Sequence, residues 1–352
     1  MSKTFADLGL RPEILAALNS AGFEKPFPIQ EMVIPIAIMG SDLIGQAKTG
    51  TGKTLGFGLP LVNFVRPTGV IQALVVVPTR ELGVQVAAEL EKISTDLSVA
   101  AIYGGRAFEP QFAQLKEGVD ILVATPGRLL DLHRQKELDL TSVKQLVLDE
   151  ADEMLDLGFL PDVEKIFSLT PNRTQTMLFS ATMPSDVMIL ARKYLNQPTH
   201  IRAQEDDSGA VVKNVSQFVY RTHALDKAEI VARILQAEGR GQTMIFCRTK
   251  RTCQQLADDL RERGFKSAAI HGDLGQPARE RALADFKANK RDVLVATDVA
   301  ARGIDVDGIT HVINYQCPED EKTYLHRIGR TARAGASGRS EERRVGKECR
   351  SR

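Results

Sequence analysis

The ten residues Gly45 to Thr54, "GQAKTGTGKT", carry the clearest chemistry in the chain. An apolar run, then Gly50-x-Gly52-Lys53-Thr54, then the apolar-periodic stretch "KTLGFGLPLVNFV" is the setting in which a backbone loop cradles phosphate. Paired glycines let successive N–H groups turn toward one anion, and the helix that follows adds the positive end of its dipole. Ala47, Lys48, Thr49, Gly50, Thr51 and Gly52 then form the cradle. Lys53 reaches the β- and γ-phosphates of a nucleotide, and Thr54 turns its hydroxyl to Mg²⁺. Ala47 stands where the general pattern has its first glycine; so small a side chain fits unless the backbone there needs a positive φ. A second signal is "QLVLDEADEM", which sets Asp149 and Glu150 at the end of an apolar strand. Taken alone it reads as a solvated acidic turn. Paired with the loop, it makes Asp149 the residue that holds Mg²⁺ through its water shell and Glu150 the one that orients or deprotonates the attacking water.

The elements that must position these residues are short β-rich runs alternating with amphipathic helical stretches, the pattern of parallel βαβ units. The first half has "DLIGQA", "ALVVVPT", "VAAIYGG", "DILVATP", "QLVLDEA" and "QTMLFSAT"; the second has "SQFVYRT", "TMIFCRT", "SAAIHG", "DVLVATD" and "HVINYQ". Between them residues 203–214, "AQEDDSGAVVKN", are polar and aperiodic, as a linker is. The halves also rhyme: "DILVATPGR" with "DVLVATDVAARG", and "VVVPTREL" with "MIFCRTKR", in the same order. Two copies of one α/β design would place functional segments where strands end and helices begin.

Length and composition set the frame. The chain has 352 residues, enough for two domains, and 43% apolar with 26% charged residues describes a globular protein. No apolar run approaches the length of a spanning helix, and "MSKTFADLGL" lacks the pattern of a signal peptide. Cys247, Cys253, Cys317 and Cys349 have neither C-x-x-C nor zinc spacing, which predicts reduced thiols and a cytoplasmic location without membrane contact. Residues 1–200 carry 18 Lys+Arg against 23 Asp+Glu, net −5, and residues 201–352 carry 28 against 22, net +6. The counts fit a second half that favours polyanions, and equally a chance imbalance on solvated faces.

In order along the chain stand "AKTGTGKT", "PTRELGVQ", "GG", "TPGR", "DEAD" and "SAT", followed by "IFCRTK", "VATDVAARGIDV" and "HRIGRTAR". Any one tripeptide is uninformative; the ordered set is specific. On these motifs the chain resembles the DEAD-box ATP-dependent RNA helicases of superfamily 2, bacterial type, over nearly its whole length. The resemblance implies an α/β fold of two tandem RecA-like domains, each a mostly parallel sheet flanked by helices, over residues 1–202 and 215–339. It implies ATP and RNA bound across their cleft, Mg²⁺ as cofactor, RNA-dependent ATP hydrolysis, and a monomer serving ribosome assembly or RNA decay.

Residue by residue, the resemblance assigns adenine reading to Gln30 of "GFEKPFPIQ", with Phe5 as the stacking face and Phe27 where the family commonly has Thr. Arg330 and Arg333, three apart and thus on one face if helical, match arginine fingers. Gly303 and Asp305 of "ARGID" belong to the nucleotide site, and His326 would couple it to Asp152, Ser180 and Thr182. RNA contacts fall on Pro78, Thr79, Arg80, Gly104, Gly105 and Thr125, Pro126, Gly127, Arg128 in the first half. In the second they fall on Arg248, Thr249, Gly272, Gln276, Arg279, Thr297 and Asp298. These groups suit phosphate and the 2′-hydroxyl and carry no base code, so binding should be sequence-independent. ATP and RNA together would close the domains and bend one strand, opening a few base pairs locally. An ATP-gated RNA clamp would use the same residues; another P-loop NTPase would leave the second half unexplained. After "GRTARAGASGR" the resemblance stops. Residues 340–352, "SEERRVGKECRSR", have no apolar periodicity and are expected to be a foreign or disordered tail, leaving the second sheet a strand short.

Overall fold

Four-residue runs such as "ALVV", "ILVA" and "QLVL" are buried along their whole length, as strands covered on both faces must be. In the computed structural model, which describes residues 3–47, 50–94, 96–105, 107–203, 215–237, 240–301, 306, 308–318, 321–331 and 338–344, these runs pair in parallel throughout. The chain divides into two compact units at residues 204/205. The first holds β1 (Leu43–Gln46), β2 (Ala73–Val76), β3 (Val99–Ile102), β4 (Ile121–Ala124), β5 (Gln145–Leu148), β6 (Gln175–Ser180) and β7 (Thr199–Arg202), in the order β3-β4-β2-β5-β6-β1-β7. The second holds β8 (Val215–Arg221), β9 (Gln242–Cys247), β10 (Ser267–Ile270), β11 (Val293–Thr297), β12 (Ile309–Asn314) and β13 (Gly338–Arg344), in the order β10-β11-β9-β12-β13-β8.

Strand periodicity divides each core in two. Ala73 and Val75 of β2 join the cluster under the helices Pro28–Ile38, Lys53–Phe64 and Arg80–Ile93, while Leu74 and Val76 join the cluster on the opposite face. In the second unit Ile245 and Cys247 of β9 face one cluster, and Met244 and Phe246 the other. Among the described residues no helix is long and apolar enough to cross a membrane.

Matched in chain order, the six strands of the second unit take the same places as β1–β6 of the first: β10-β11-β9-β12-β13-β8 repeats β3-β4-β2-β5-β6-β1. Both sequence rhymes fall in equivalent slots, one on β4 and β11, the other on β2 and β9. The expectation of a missing strand is corrected: residues 338–344 form β13, between β12 and β8, pairing His311 with Arg339 and Gly338 with Val215. Pairing of this kind is made by backbone groups, which "GRSEERR" supplies as well as an apolar run does; only the side-chain pattern was lacking. β7, "THIR", escaped the sequence for a related reason, being an edge strand with three of its four residues exposed. The linker segment 204–214 and the tail beyond 344 lie outside the described residues.

Within β13, Ser340 is only 1% exposed and its hydroxyl has no hydrogen-bond partner. An unsatisfied buried hydroxyl costs about 1–3 kcal/mol. Ser340→Ala is therefore expected to stabilise the second unit by about 1 kcal/mol, read as a higher urea midpoint in its unfolding transition. A lower midpoint would contradict the placement of this strand.

Candidate functional site

Because the strands are parallel, every strand of a sheet ends at the same edge, and the strand order sorts the loops beyond it. The phosphate loop follows β1, the acidic motif follows β5 and "SAT" follows β6, and these three strands are neighbours. The segments predicted to touch RNA follow β2, β3 and β4, the neighbouring three on the other side.

Gly50 and Gly52 adopt φ of 81° and 84°, the left-handed region that a glycine enters without strain. Gly52 then begins the helix Lys53–Phe64. Ala47 is buried and donates its N–H to the Ser180 carbonyl at 3.1 Å; its φ is not positive, so the missing first glycine is no obstacle. The Lys53 side chain is buried and its Nζ has no hydrogen-bond partner. A buried, unpartnered ammonium is costly unless an anion completes it. Thr51 and Thr54 are half-buried at the mouth of the same turn. Lys48 and Thr49 lie outside the described residues.

Asp149 ends β5 fully enclosed, and burial pushes its carboxyl up to about 7 against the opposing pull of Lys53; Glu150 next to it raises it further. Its Oδ1 accepts the Glu150 N–H at 2.9 Å. Glu150 is buried with φ 52° and ψ 52°, left-handed backbone that costs a non-glycine residue about 1–3 kcal/mol. Two residues on, Asp152 accepts the Thr182 N–H at 3.0 Å and the Thr182 hydroxyl at 2.5 Å. Its own N–H donates to Ser180 Oγ at 3.2 Å, and Ser180 Oγ donates to the Thr182 carbonyl at 2.7 Å. Burial would raise the Asp152 pKa, but the Thr182 and Ser180 hydrogen bonds, with Lys53 nearby, hold it below the ordinary value. Ser180 thus touches both the phosphate loop, through Ala47, and the acidic motif, through Asp152.

The two residues expected to read adenine, Phe5 and Gln30, are both buried. Phe5 is 5% exposed and packs in the first core with Leu8 and Ile14, because its short helix Phe5–Leu8 buries that side. It presents no open stacking face here. Gln30 is also buried; its Oε1 accepts the Phe27 N–H at 2.9 Å and its Nε2 donates to the Gly52 carbonyl at 2.8 Å. Its amide therefore ties the helix Pro28–Ile38 to the phosphate loop.

On the other half of the edge, Thr79 caps the helix Arg80–Ile93 by accepting the Leu82 N–H. Pro78 before it is buried. The Arg80 guanidinium lies over Gly105, whose φ is 79°: a Cβ there would collide with it, and a Cβ on Gly104 would stand 3.6 Å from its Nη2. Thr125 is buried at the cap of the helix Pro126–Arg134, with Gly127 half-buried. Arg128 is buried with its guanidinium carbon 3.9 Å from the Phe108 ring centroid. Burial, with Arg80 adding to it, lowers the Arg128 pKa, while Asp131 opposes that shift. Gln111, which the motifs did not mark, is buried; it accepts the Tyr103 N–H and donates to the Tyr103 and Ala107 carbonyls, fixing the loop that carries Gly104 and Gly105.

The second unit repeats this edge. Thr249 caps the helix Lys250–Glu262 by accepting the Thr252 N–H at 3.1 Å. Lys250 lies over Gly272, with its Cε 3.4 Å from where a Cβ would stand, and pairs with Asp273 at 2.6 Å. Arg248 is exposed, Gln276 donates to Glu280, and Arg279 is half-buried on the helix Gln276–Lys287. Thr297 is buried at the end of β11.

Two readings in this unit are revised, for Asp298 and for the helical placement of Arg330, and Arg327 is added. Asp298 spends both oxygens on Arg327, at 2.6 and 2.8 Å, and so anchors the fold where RNA contact was expected. Arg327 is 1% exposed and also donates to Asn314 Oδ1 and the Gln316 carbonyl. "HRIGR" contains it, but its partner stands 29 residues upstream, a pairing that sequence spacing does not reveal. Arg330 does not continue the helix Glu321–Ile328: the chain turns at Gly329, and Thr331 Oγ1 donates to the Ile309 carbonyl at 2.5 Å, so the argument from a shared helical face fails. Arg330 is nonetheless buried, and His326 is half-buried on that helix's last turn. Gly303, Asp305 and Arg333 lie outside the described residues.

The chain as a whole has counterparts among known proteins. Residues 27–190 match the family model "DEAD/DEAH box helicase" and residues 226–335 match "Helicase conserved C-terminal domain". The chain is 45% identical over 341 residues to the DEAD-box ATP-dependent RNA helicase CshA of Bacillus subtilis, covering 96% of this chain and 69% of that protein. It is 45% identical over 337 residues to the ATP-dependent RNA helicase CshA of Listeria monocytogenes, covering 95% and 64%. A solved structure of S. cerevisiae Dbp5 bound to RNA and ADP BeF3 is 31% identical, with a TM-score of 0.86 over 98% of this chain and 90% of that one. The chain belongs to the DEAD-box family of ATP-dependent RNA helicases, and it spans about two thirds of the length of those two CshA relatives.

Two measurements test the geometry. A carboxyl raised in the folded state binds a proton there that the unfolded chain has lost, so folding loses stability as pH climbs from about 4 through about 7. Asp149→Asn is expected to stabilise the ligand-free protein at pH 8 and to leave it nearly unchanged at pH 4 in thermal unfolding. Asp298→Asn, which strands the Arg327 charge, should destabilise the second unit by about 3 kcal/mol, followed by urea unfolding. An RNA-only role for Asp298 would leave that transition in place.

Proposed function

We propose that the chain is an RNA-dependent ATPase that couples ATP binding and hydrolysis to sequence-independent RNA binding and local separation of short duplexes. The observation that carries this reading is the buried, unpartnered Lys53 ammonium beside the enclosed Asp149. Such a pair fits a polyphosphate accompanied by a divalent cation. Lys53 receives the terminal phosphates of ATP, and the Gly50–Gly52 turn offers its N–H groups to them. Mg²⁺, when bound, neutralises phosphate charge and is held by Asp149 and the Thr54 hydroxyl, largely through water. Glu150 orients the attacking water and takes up its proton. Arg330 and Arg333 stabilise charge on the transferred phosphoryl group, Gly303 and Asp305 contribute to nucleotide binding, and His326 couples the nucleotide to the Asp152–Ser180–Thr182 network.

RNA phosphates are taken by Arg80, Arg128, Arg248 and Arg279, and by the amides and hydroxyls of the turns around them. Closure follows from differential affinity, ATP favouring the state that also holds RNA. The protein works as a cytoplasmic monomer over residues 1–202 and from 215 onward, within ribosome-assembly or RNA-decay complexes.

The test is Mg²⁺-ATP hydrolysis with and without single-stranded RNA or DNA, followed by strand release from a short duplex. RNA is expected to accelerate hydrolysis. Lys53→Ala, Glu150→Gln and Arg330→Ala should each lower it about a hundred-fold or more. Hydrolysis indifferent to RNA refutes the reading; RNA-stimulated hydrolysis without strand release identifies an ATP-gated RNA clamp instead.

A further inference from the structure

We propose that Phe108 is a stacking platform for an unpaired nucleobase of the bound strand, an inference that rests on the RNA-binding reading of the loops around it. Phe108 opens the helix Phe108–Lys116, directly after the Gly104–Gly105 turn, and is 36% exposed. The Arg128 guanidinium lies against its ring, 3.9 Å from the centroid. A phenyl side chain exposed to that extent leaves apolar area in water, which is unfavourable unless something covers it. Its position is fixed from behind. One turn along the same helix, buried Gln111 holds the Tyr103 N–H and carbonyl and the Ala107 carbonyl, so the first turn of the helix is tied to the glycine turn.

The neighbours name the occupant. Arg80 over Gly105, together with Arg128, gives the turn two cations suited to a phosphodiester backbone. An aromatic face among them is suited to the other component of a nucleotide, since every base has a π-face that stacks without regard to its identity. Binding would stay sequence-independent and acquire a preference that phosphate contacts cannot supply. A base inside a duplex already has both faces stacked, whereas an unpaired base has a face to offer. Phe108 therefore favours a separated strand over a paired one.

The test uses the full chain, with Mg²⁺ and a non-hydrolysable ATP analogue present, and two short strands of equal length, a single-stranded oligoadenylate RNA and a ribose-phosphate strand lacking bases. The unaltered protein should bind the base-bearing strand more tightly. Phe108→Ala and Phe108→Leu should lose about five- to hundred-fold affinity for it, with little change for the abasic strand. Phe108→Tyr, which keeps the ring, should bind as the unaltered protein does. The slope of log affinity against log salt should not move, because no phosphate contact is removed. Equal losses on both strands, or a shallower salt slope, would mean that Phe108 only holds Arg128 in place, which overturns the proposal. Unchanged affinity in Phe108→Leu overturns it too. Failure of the unaltered protein to bind either strand refutes the RNA reading itself.

Discussion

Parallel pairing is the constraint on which the rest of the structure depends. In a sheet whose strands all run one way, every strand's carboxyl end meets the same edge, and each loop there opens toward its neighbours' loops. The order β3-β4-β2-β5-β6-β1 then does the sorting. Residues far apart in the chain, at 47, 50–54, 149–152 and 180–182, become one cluster because β1, β6 and β5 are adjacent. The loops after β2, β4 and β3 become a second cluster on the same edge. β2 and β5 are direct neighbours, joined by the Asp149 N–H donating to the Val76 carbonyl, so the two clusters meet on one rigid element.

The second unit repeats the layout and not the chemistry. Its edge after β9 and β10 copies that after β2 and β3 closely: a Thr cap, a long cation beside it, and a glycine that the cation overlies. Glycine suits residue 105 because its φ of 79° is left-handed backbone, and the Arg80 guanidinium fills the space beside it. Where the first unit has its glycine-rich loop after β1, the second has "THALDK" after β8, a short 3-10 turn. The two units thus share the cationic half of the edge, while the phosphate loop follows β1 and has no counterpart after β8. At the slot of β6 the second unit has "GRSEERR", so the strand that carries "SAT" in one copy has no such motif in the other.

The fold was legible wherever burial leaves a pattern. Eleven apolar runs read from the sequence are strands, and the two strands it missed, β7 and β13, have sequences without one. The phosphate loop and the acidic motif were legible because their chemistry is local: strand, turn and helix succeed one another within a dozen residues. Phe5 was not, since nothing in "TFADL" says whether an aromatic ring faces a ligand or the core. Nor was Asp298, whose partner Arg327 is brought to it by the return of the chain through β12. Spacing finds groups that act through neighbours in sequence; groups that act through neighbours in space need the fold.

Ser180 illustrates how the local and the distant combine. Its carbonyl takes the Ala47 N–H and its hydroxyl takes the Asp152 N–H, so one residue at the end of β6 touches the phosphate loop on one side and the acidic motif on the other. Thr182 closes the circuit on Asp152. Each of these bonds is short-range and modest alone, but in a buried network the loss of one partner leaves another unsatisfied. Two hydrogen bonds of Ser180 are all that separates the phosphate loop from Asp152. The missing first glycine of that loop belongs to the same arrangement: Ala47 does not adopt left-handed backbone, and its N–H is committed to β6.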